Sequence, residues 1–410
     1  MATYLEGLAC RACAATYPAE PLSICDRCFG PLQPVYDYGA IRAEVSRDSI
    51  EAGPPSLWRY AALLPATPDP EVDLGDGFTP LRHARRLGAE LGLPHLYLKD
   101  ETRNPTHSFK DRVVAVALAK AREFGFDTVA CASTGNLAHA LVAHAAAAGL
   151  RAVALVPTGL EAAKLAAASV YGATLVEVEG TYDQVSRLCG EAAGEYPWAF
   201  VNVNLRPYYA EGSKTIAYET AEQLGWRTPD HVVVPIASGA LLTKIAQAFQ
   251  ELHAVGLVDS RPQVRVSGAQ AAGCAPVAAA FAAGAQDPSP VRYPDTIARS
   301  LAIGDPADGS YALEEVRASG GVIEAVSDSD IIEAVGLLAR TEGLFAETSG
   351  GVTIGALSQL AASGAVRPDE TVVGYITGTG LKTLEAYRDR YGPAVTISPK
   401  LEALAGALPW

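Results

Sequence analysis

Between about residue 81 and residue 395, short β-branched or Leu-rich runs alternate with Ala-rich stretches of helical length. This alternation constrains the fold more than any other feature. Strands read at 96–98, 128–131, 152–156, 174–178, 231–234, 264–266 and 371–375. Helices read between them at 111–124, 136–148, 161–171, 213–224, 240–254, 330–342 and 350–363. A short apolar strand that repeatedly feeds an amphipathic helix buries itself as a parallel sheet with helices on both faces. The expected class is therefore α/β. With 410 residues and about 150 residues per domain, two or three domains are expected. Such sheets hold ligands at the carboxyl ends of their strands. We find no internal repeat, and the Ala richness reads as helix propensity.

The first 40 residues are different, carrying four of the seven cysteines and many turn residues. Cys10-x-x-Cys13 and Cys25-x-x-Cys28 lie eleven residues apart, a spacing that can close a tetrahedral thiolate site for zinc. Such a closed site folds a segment too small for its own core and leaves no open position for catalysis. The bland alternative is four unrelated thiols. Cys131, Cys189 and Cys274 read as small core residues. Residues 41–78 hold Pro54, Pro55, Pro65, Pro68 and Pro70 and read as an irregular connector.

Charge excludes some functions. The net charge of −14 gives no basic field for nucleic acid. The stretch from Met1 to Tyr17 lacks the basic start and long apolar run of a signal peptide. The apolar stretch 137–160 contains His139, His144, Gly149 and Arg151, so it reads as a helix and a strand and not as a membrane span. The expected setting is the cytoplasm, whose reducing conditions favour metal binding or buried thiols over disulfides.

The segment Asn104-Pro105-Thr106-His107-Ser108-Phe109-Lys110-Asp111-Arg112 carries the chemistry. It follows a strand and opens a helix, so Lys110 can project into a cleft. Burial and nearby cations there lower its pKa and make an amine able to form a Schiff base. A solvated surface lysine is the alternative from position alone. Three further loops occupy equivalent places. Ser133-Thr134-Gly135-Asn136 offers hydroxyls and free N–H groups to an anion at a helix start. Pro235-Ile236-Ala237-Ser238-Gly239-Ala240 is a second such anion site. Thr377-Gly378-Thr379-Gly380 is a third strand-end loop. Together with the lysine loop they describe one composite cleft.

With these residues in place, the chain resembles the threonine synthases of the tryptophan-synthase-β-like, fold-type-II pyridoxal phosphate enzymes, from the cysteine cluster to about residue 385. Residues 104–112 are similar to that family's NPTGSFKDR segment, and residues 132–136 to its ASTGN loop. The resemblance implies two doubly wound parallel-sheet domains with a pyridoxal phosphate cleft between them, plus a small zinc-ribbon-like segment. It implies the cofactor's Schiff base on Lys110, ring packing by Phe109, a ring-hydroxyl contact from Asn136, and a hydroxyl opposite the ring nitrogen from Thr377 beside Gly378. Residues Ala237, Ser238, Gly239, Ala240 and Leu241 would hold the cofactor phosphate. On the substrate side it implies Thr79 of the Gly77–Leu81 loop, Ser133, Thr134, Gly135, Asn204 and Arg206. The segments 206–215, 300–306 and 347–351 also look familial. Three departures stand out: His107 replaces a glycine, Leu137-Ala138 replaces a small polar pair, and the 237–241 loop replaces a GNxGN pattern. An Arg206 paired with a surface carboxylate is the bland alternative to a phosphate anchor.

The resemblance also implies a division into 1–40, a large cofactor domain of 41–111 with 211–395, and a small substrate-side domain of 112–210. The implied enzyme is a lyase that converts O-phosphohomoserine and water to threonine and phosphate, with Lys110 as general base. A neutral Thr377 favours elimination and replacement over transamination, and Arg206 would hold the departing phosphate beside the attacking water. The alternatives are cysteate or cysteine synthesis from O-phosphoserine, serine or threonine dehydration, and a zinc-ribbon binding protein with a decayed enzyme domain. A phosphorylated amino acid as ligand and a homodimer are expected.

Overall fold

The computed structural model describes residues 4–393 and 395–407; Met1, Ala2 and Thr3 of the 1–40 segment and Ala394 of the 211–395 stretch lie outside the described residues. Three sheets organise the chain. The first joins strands β1 (Leu5–Cys10), β2 (Thr16–Tyr17) and β3 (Leu32–Tyr36) in the antiparallel order β2-β1-β3. This ribbon has no separate core. Its Leu8, Cys10 and Leu32 pack into one cluster with Trp58 and the apolar face of the helix Lys110–Glu123.

The two larger sheets are built as the strand–helix alternation requires. One contains β4 (Leu81–His83) and β5 (Leu96–Asp100). The chain then leaves to form a second sheet from β6 (Thr128–Ala132), β7 (Arg151–Pro157), β8 (Thr174–Val178) and β9 (Ala199–Phe200). It returns to add β10 (His231–Pro235), β11 (Arg265–Ala271), β12 (Ile323–Val326) and β13 (Val372–Ile376) to the first. The strand orders are β12-β11-β10-β13-β5-β4 and β8-β7-β6-β9. All pairings in these two sheets are parallel except the edge pair β4–β5. Central strands such as β10 and β13 are buried along their whole length. Both faces are covered, so a continuous apolar run is required there in place of alternation. Among the described residues, no helix is long and apolar enough to cross a membrane.

The connector is a correction. Residues 38–63 are not irregular: they form helices Tyr38–Glu44 and Arg47–Glu51 and a 3-10 turn Leu57–Leu63. Each starts on a side-chain cap, from Asp37, Ser46 and Ser56. Such caps satisfy free N–H groups that a short helix cannot satisfy internally. A helix at Tyr182–Glu195, with a capping box from Thr181 and Gln184, was also not expected.

Candidate active site

Lys110 is the first residue of the helix that follows β5 and is half-buried. Its Nζ lies 4.3 Å from the centre of the Phe109 ring and donates to Tyr209 Oη over 3.1 Å. Burial lowers the amine pKa to about 8, and Glu347 pulls it partly back. An amine in that range is part neutral near pH 8, as a nucleophile or base requires. The loop before it is clamped to the loop after β13. Phe109 N donates to Thr377 O (3.0 Å) and Thr379 N to His107 O (3.1 Å). His107, where the resembled family has glycine, sits at φ 62°, in the left-handed region that glycine enters freely.

The rest of the motif lies beneath the lysine and is structural. Arg112 is fully buried and pairs with Glu101 (Nε to Oε2, 2.6 Å) and Glu219 (Nη1 to Oε1, 2.5 Å). Lys99 donates to Glu219 Oε2 over 2.7 Å. Two cations therefore face two carboxylates, the balance that a dry interior demands. Thr79 belongs to this network and not to the cavity: its hydroxyl donates to Glu101 Oε1 over 2.6 Å. Its N–H donates to Glu219 over 3.1 Å. Asp111, beside the lysine, accepts from Thr106 and lies 3.4 Å from His144.

The carboxyl ends of β5, β10 and β13 face that of β6 across a cavity of about 320 Å³. It is lined by Phe109, Lys110, Ser133, Thr134, Asn136, Ala237, Ser238, Gly239, Ala240, Leu241, Arg206 and Thr377, among others. The helix Ala240–Ala254 starts at Gly239 (φ 96°) without a side-chain cap, so its first N–H groups remain for an anion. Ser133 Oγ accepts from Gly135 N (2.9 Å) and Ala138 N (2.8 Å), which leaves its own proton as a donor. Asn136 Nδ2 donates to both Glu347 oxygens (2.9 and 3.0 Å), and its Oδ1 accepts from Lys382 (3.1 Å). Thr377 Oγ1 lies 2.9 Å from Ser349 Oγ, a neutral hydroxyl pair. Arg206 pairs with Asp308 at the cavity wall.

Other expected residues stand back from the cavity wall. Asn204 donates from Nδ2 to Trp198 O over 3.0 Å, turned toward its own loop. Gly135 (φ 117°) packs on Lys164, where a Cβ would meet Cδ at 2.3 Å. Gly378 backs onto Glu347, where a Cβ would meet Oε1 at 2.5 Å. Conversely, Tyr182, Asn202, Tyr209, Ser300, Glu347 and Ser349 line the cavity without having been singled out. Tyr209, Ser300, Glu347 and Ser349 lie inside segments whose family likeness was legible, so the signal existed without a role attached.

In the ribbon, the four sulfurs of Cys10, Cys13, Cys25 and Cys28 all lie within 4.8 Å of one another. Cys10 and Cys28 are 3.5 Å apart, and Cys13 and Cys25 3.6 Å. The ribbon folds the two CxxC knuckles against each other across β1 and the Ile24–Pro31 bridge.

Residues 72–378 match the family described as pyridoxal-phosphate dependent enzyme. The threonine synthase of Methanocaldococcus jannaschii is 38% identical over 379 residues, 92% of this chain and 93% of that protein. That of Methanosarcina acetivorans is 36% identical over 403 residues, 98% of each. The chain belongs to the threonine synthase family of pyridoxal-phosphate-dependent enzymes. Among solved structures, diaminopropionate ammonia lyase from Escherichia coli superposes with a TM-score of 0.66 at 19% identity. It covers 80% of this chain and 94% of that one, a likeness of fold.

The residues present fit the cofactor. A threonine synthase family member needs an amine for the aldehyde, a phosphate cradle and a partner for the ring. This cavity holds a half-buried lysine and an uncapped helix start in one space. The cavity wall also carries Ser300, whose buried Oγ has no partner within the protein. A buried hydroxyl left unpaired costs free energy until a ligand satisfies it.

Proposed function

We propose that this chain converts O-phosphohomoserine and water to threonine and inorganic phosphate. One observation carries the reading: Lys110, an uncapped helix start and Arg206 line a single cavity, so a reactive amine faces two separate anion-holding places. A cofactor phosphate and a substrate phosphate need two such places. The relatives named threonine synthase, 36–38% identical over nearly the full chain, support threonine as the product.

When bound, pyridoxal phosphate supplies an electron sink for charge developing at the substrate's α-carbon. Residues 237–241 would hold its phosphate, Phe109 its ring face, Asn136 its ring hydroxyl and Thr377 its ring nitrogen. The chain's own residues do the rest. Lys110 takes the proton from Cα; loss of a Cβ proton then lets phosphate leave Cγ, and protons return to Cγ and Cα around the addition of water at Cβ. Ser133 donates its free proton to the substrate carboxylate, together with Thr134 at the loop tip. The neutral Thr377–Ser349 pair carries no negative charge to hold a ring-nitrogen proton, which favours elimination and replacement. Arg206 holds the phosphate that leaves Cγ, and keeps it close while water adds at Cβ.

We further propose one zinc on Cys10, Cys13, Cys25 and Cys28, the domain division 1–40, 41–111 with 211–395, and 112–210, a homodimer, and a cytoplasmic setting. None of the seven cysteines is in a disulfide, which suits a reducing compartment.

The decisive experiment measures phosphate release from O-phosphohomoserine and O-phosphoserine, with identification of the amino-acid product. Threonine from the first substrate, and far slower release from the second, is expected. Faster turnover of O-phosphoserine to cysteine or cysteate overturns the assignment. Lys110→Ala is expected to lose both visible cofactor absorbance and turnover; retention of either removes Lys110 from its role.

A further inference from the structure

Asp308 occupies an unusual place. It directly precedes the helix Gly309–Ser319, where an aspartate normally accepts from the helix's own N–H groups, yet its side chain makes no such cap. It faces two arginines. One is Arg206 of the active-site cavity. The other is Arg11 of the ribbon, with Nη1 at 3.4 Å from Oδ1. The carboxylate is nearly buried, at 8% exposure. Its backbone is tied to the anion loop, because Asp308 N donates to Ser238 O over 2.8 Å.

The arrangement poses an electrostatic problem for a phosphorylated substrate. Arg206 is already neutralised by Asp308, and a phosphate arriving beside it meets a nearby carboxylate of like charge. That repulsion is strong at short range in a partly dry cavity wall. Arg11 offsets it. The guanidinium of Arg11 stacks 3.7 Å from the centre of the Tyr311 ring, and its backbone N–H donates to Pro31 O over 3.0 Å. Arg11 also sits between Cys10 and Cys13, so closure of the thiolate cluster fixes where its charge stands. Were Arg206 to turn from Asp308 to a phosphate, Arg11 is placed to keep the carboxylate paired.

We propose that Arg11 of the ribbon is a positioning residue for substrate-phosphate binding, acting on Arg206 through Asp308. The inference rests on the reading of Arg206 as the substrate-phosphate anchor. It gives the ribbon a share in substrate affinity, through one cation, beyond its part in the shared core.

The test is steady-state kinetics with O-phosphohomoserine on the full-length holoenzyme. Arg11→Ala is expected to raise KM about fivefold, the reach of a partly exposed charge pair, with kcat changed by less than about twofold. Arg11→Lys, which keeps the charge, is expected to recover most of the KM. The deciding variant is Arg11→Ala combined with Asp308→Asn: with no carboxylate left to neutralise, KM should return to near that of the parent. A ribbon that only packs would show no such rescue, and kcat and cofactor content would fall as KM rises. Either that pattern or an unchanged KM in Arg11→Ala overturns the proposal. Arg206→Ala separates the two readings. An unchanged KM there refutes Arg206 as anchor, whereas a raised KM there with an unchanged KM in Arg11→Ala refutes only the role of Arg11.

Discussion

The Nζ of Lys110 donates to Tyr209 Oη over 3.1 Å, joining the helix start after β5 to the short helix Arg206–Glu211 after β9. The contact spans the cavity between the two larger sheets. Burial lowers the lysine pKa to about 8, while the phenol oxygen accepts best from the charged amine. Removing that acceptor should lower the pKa further. Tyr209→Phe is therefore expected to move the pH midpoint for capture of pyridoxal phosphate by the apo-protein downward, by up to about one unit. Stopped-flow absorbance across pH 6 to 10 measures it. A midpoint that stays in place or rises would mean that Tyr209 does not tune the amine.

Gly239 is required for two reasons. Its φ of 96° disfavours any L side chain, and a Cβ there would stand 2.6 Å from Asp308 O. Gly239→Ala is expected to cost about 1–3 kcal/mol of stability and to weaken cofactor binding at least about tenfold, since the loop must shift to relieve the clash. Gly364 is a useful contrast, with φ 73° and open space around it. Gly364→Ala should show the backbone cost alone. Urea midpoints and cofactor titration by fluorescence compare the two; equal behaviour would contradict the cradle.

The strands and helices of the two large sheets were legible because their signals are local. The helix Ala240–Ala254 and strand Thr174–Val178 match the ranges read from periodicity. The lysine loop and the three strand-end loops were legible for the same reason, each carrying turn chemistry at a strand end. What stayed hidden depends on residues far apart in sequence. Asn136 and Glu347 meet because β13 places the Thr377 loop beside the lysine loop, and no local pattern encodes that contact. Lys382 was not singled out in the sequence, yet it is buried against Asn136 and Thr106. Thr79 illustrates the complementary case: its segment carries family likeness, and its hydroxyl serves the charge network beneath the site. The helices at 38–63 escaped notice because prolines dominate the composition around them, although their capping residues were readable.

That network makes Glu219 a test of stability apart from catalysis. Burial alone raises its carboxyl pKa, but Arg112 and Lys99 outweigh burial and hold it at about 2. Glu219→Gln leaves two buried cations short of a partner and is expected to cost about 3–5 kcal/mol. The sign of the pH effect follows from the depressed value. The pair's stabilisation is fully present above the ordinary carboxylate range and is lost as pH falls toward about 2. Denaturant unfolding between pH 5 and pH 2 should therefore show a steeper loss in the parent than in Glu219→Gln. Parallel curves would remove Glu219 as a source of acid sensitivity.

The ribbon offers the last test, through its metal. Four sulfurs within 4.8 Å of one another form a closed set, and thiolates so close repel unless a cation joins them. We expect one zinc per chain by elemental analysis, and loss of that zinc in Cys28→Ser. Metal binding of this kind is folding free energy, so emptying the site should unfold the ribbon locally. The effect should not stop there, because Leu8, Cys10 and Leu32 share their core with Trp58 and the helix that begins at Lys110. Chelation of the parent should therefore speed protease cleavage within residues 4–36 and lower the thermal midpoint of the whole chain. A metal-free preparation with parental stability and unchanged cleavage would reduce the four cysteines to ordinary thiols.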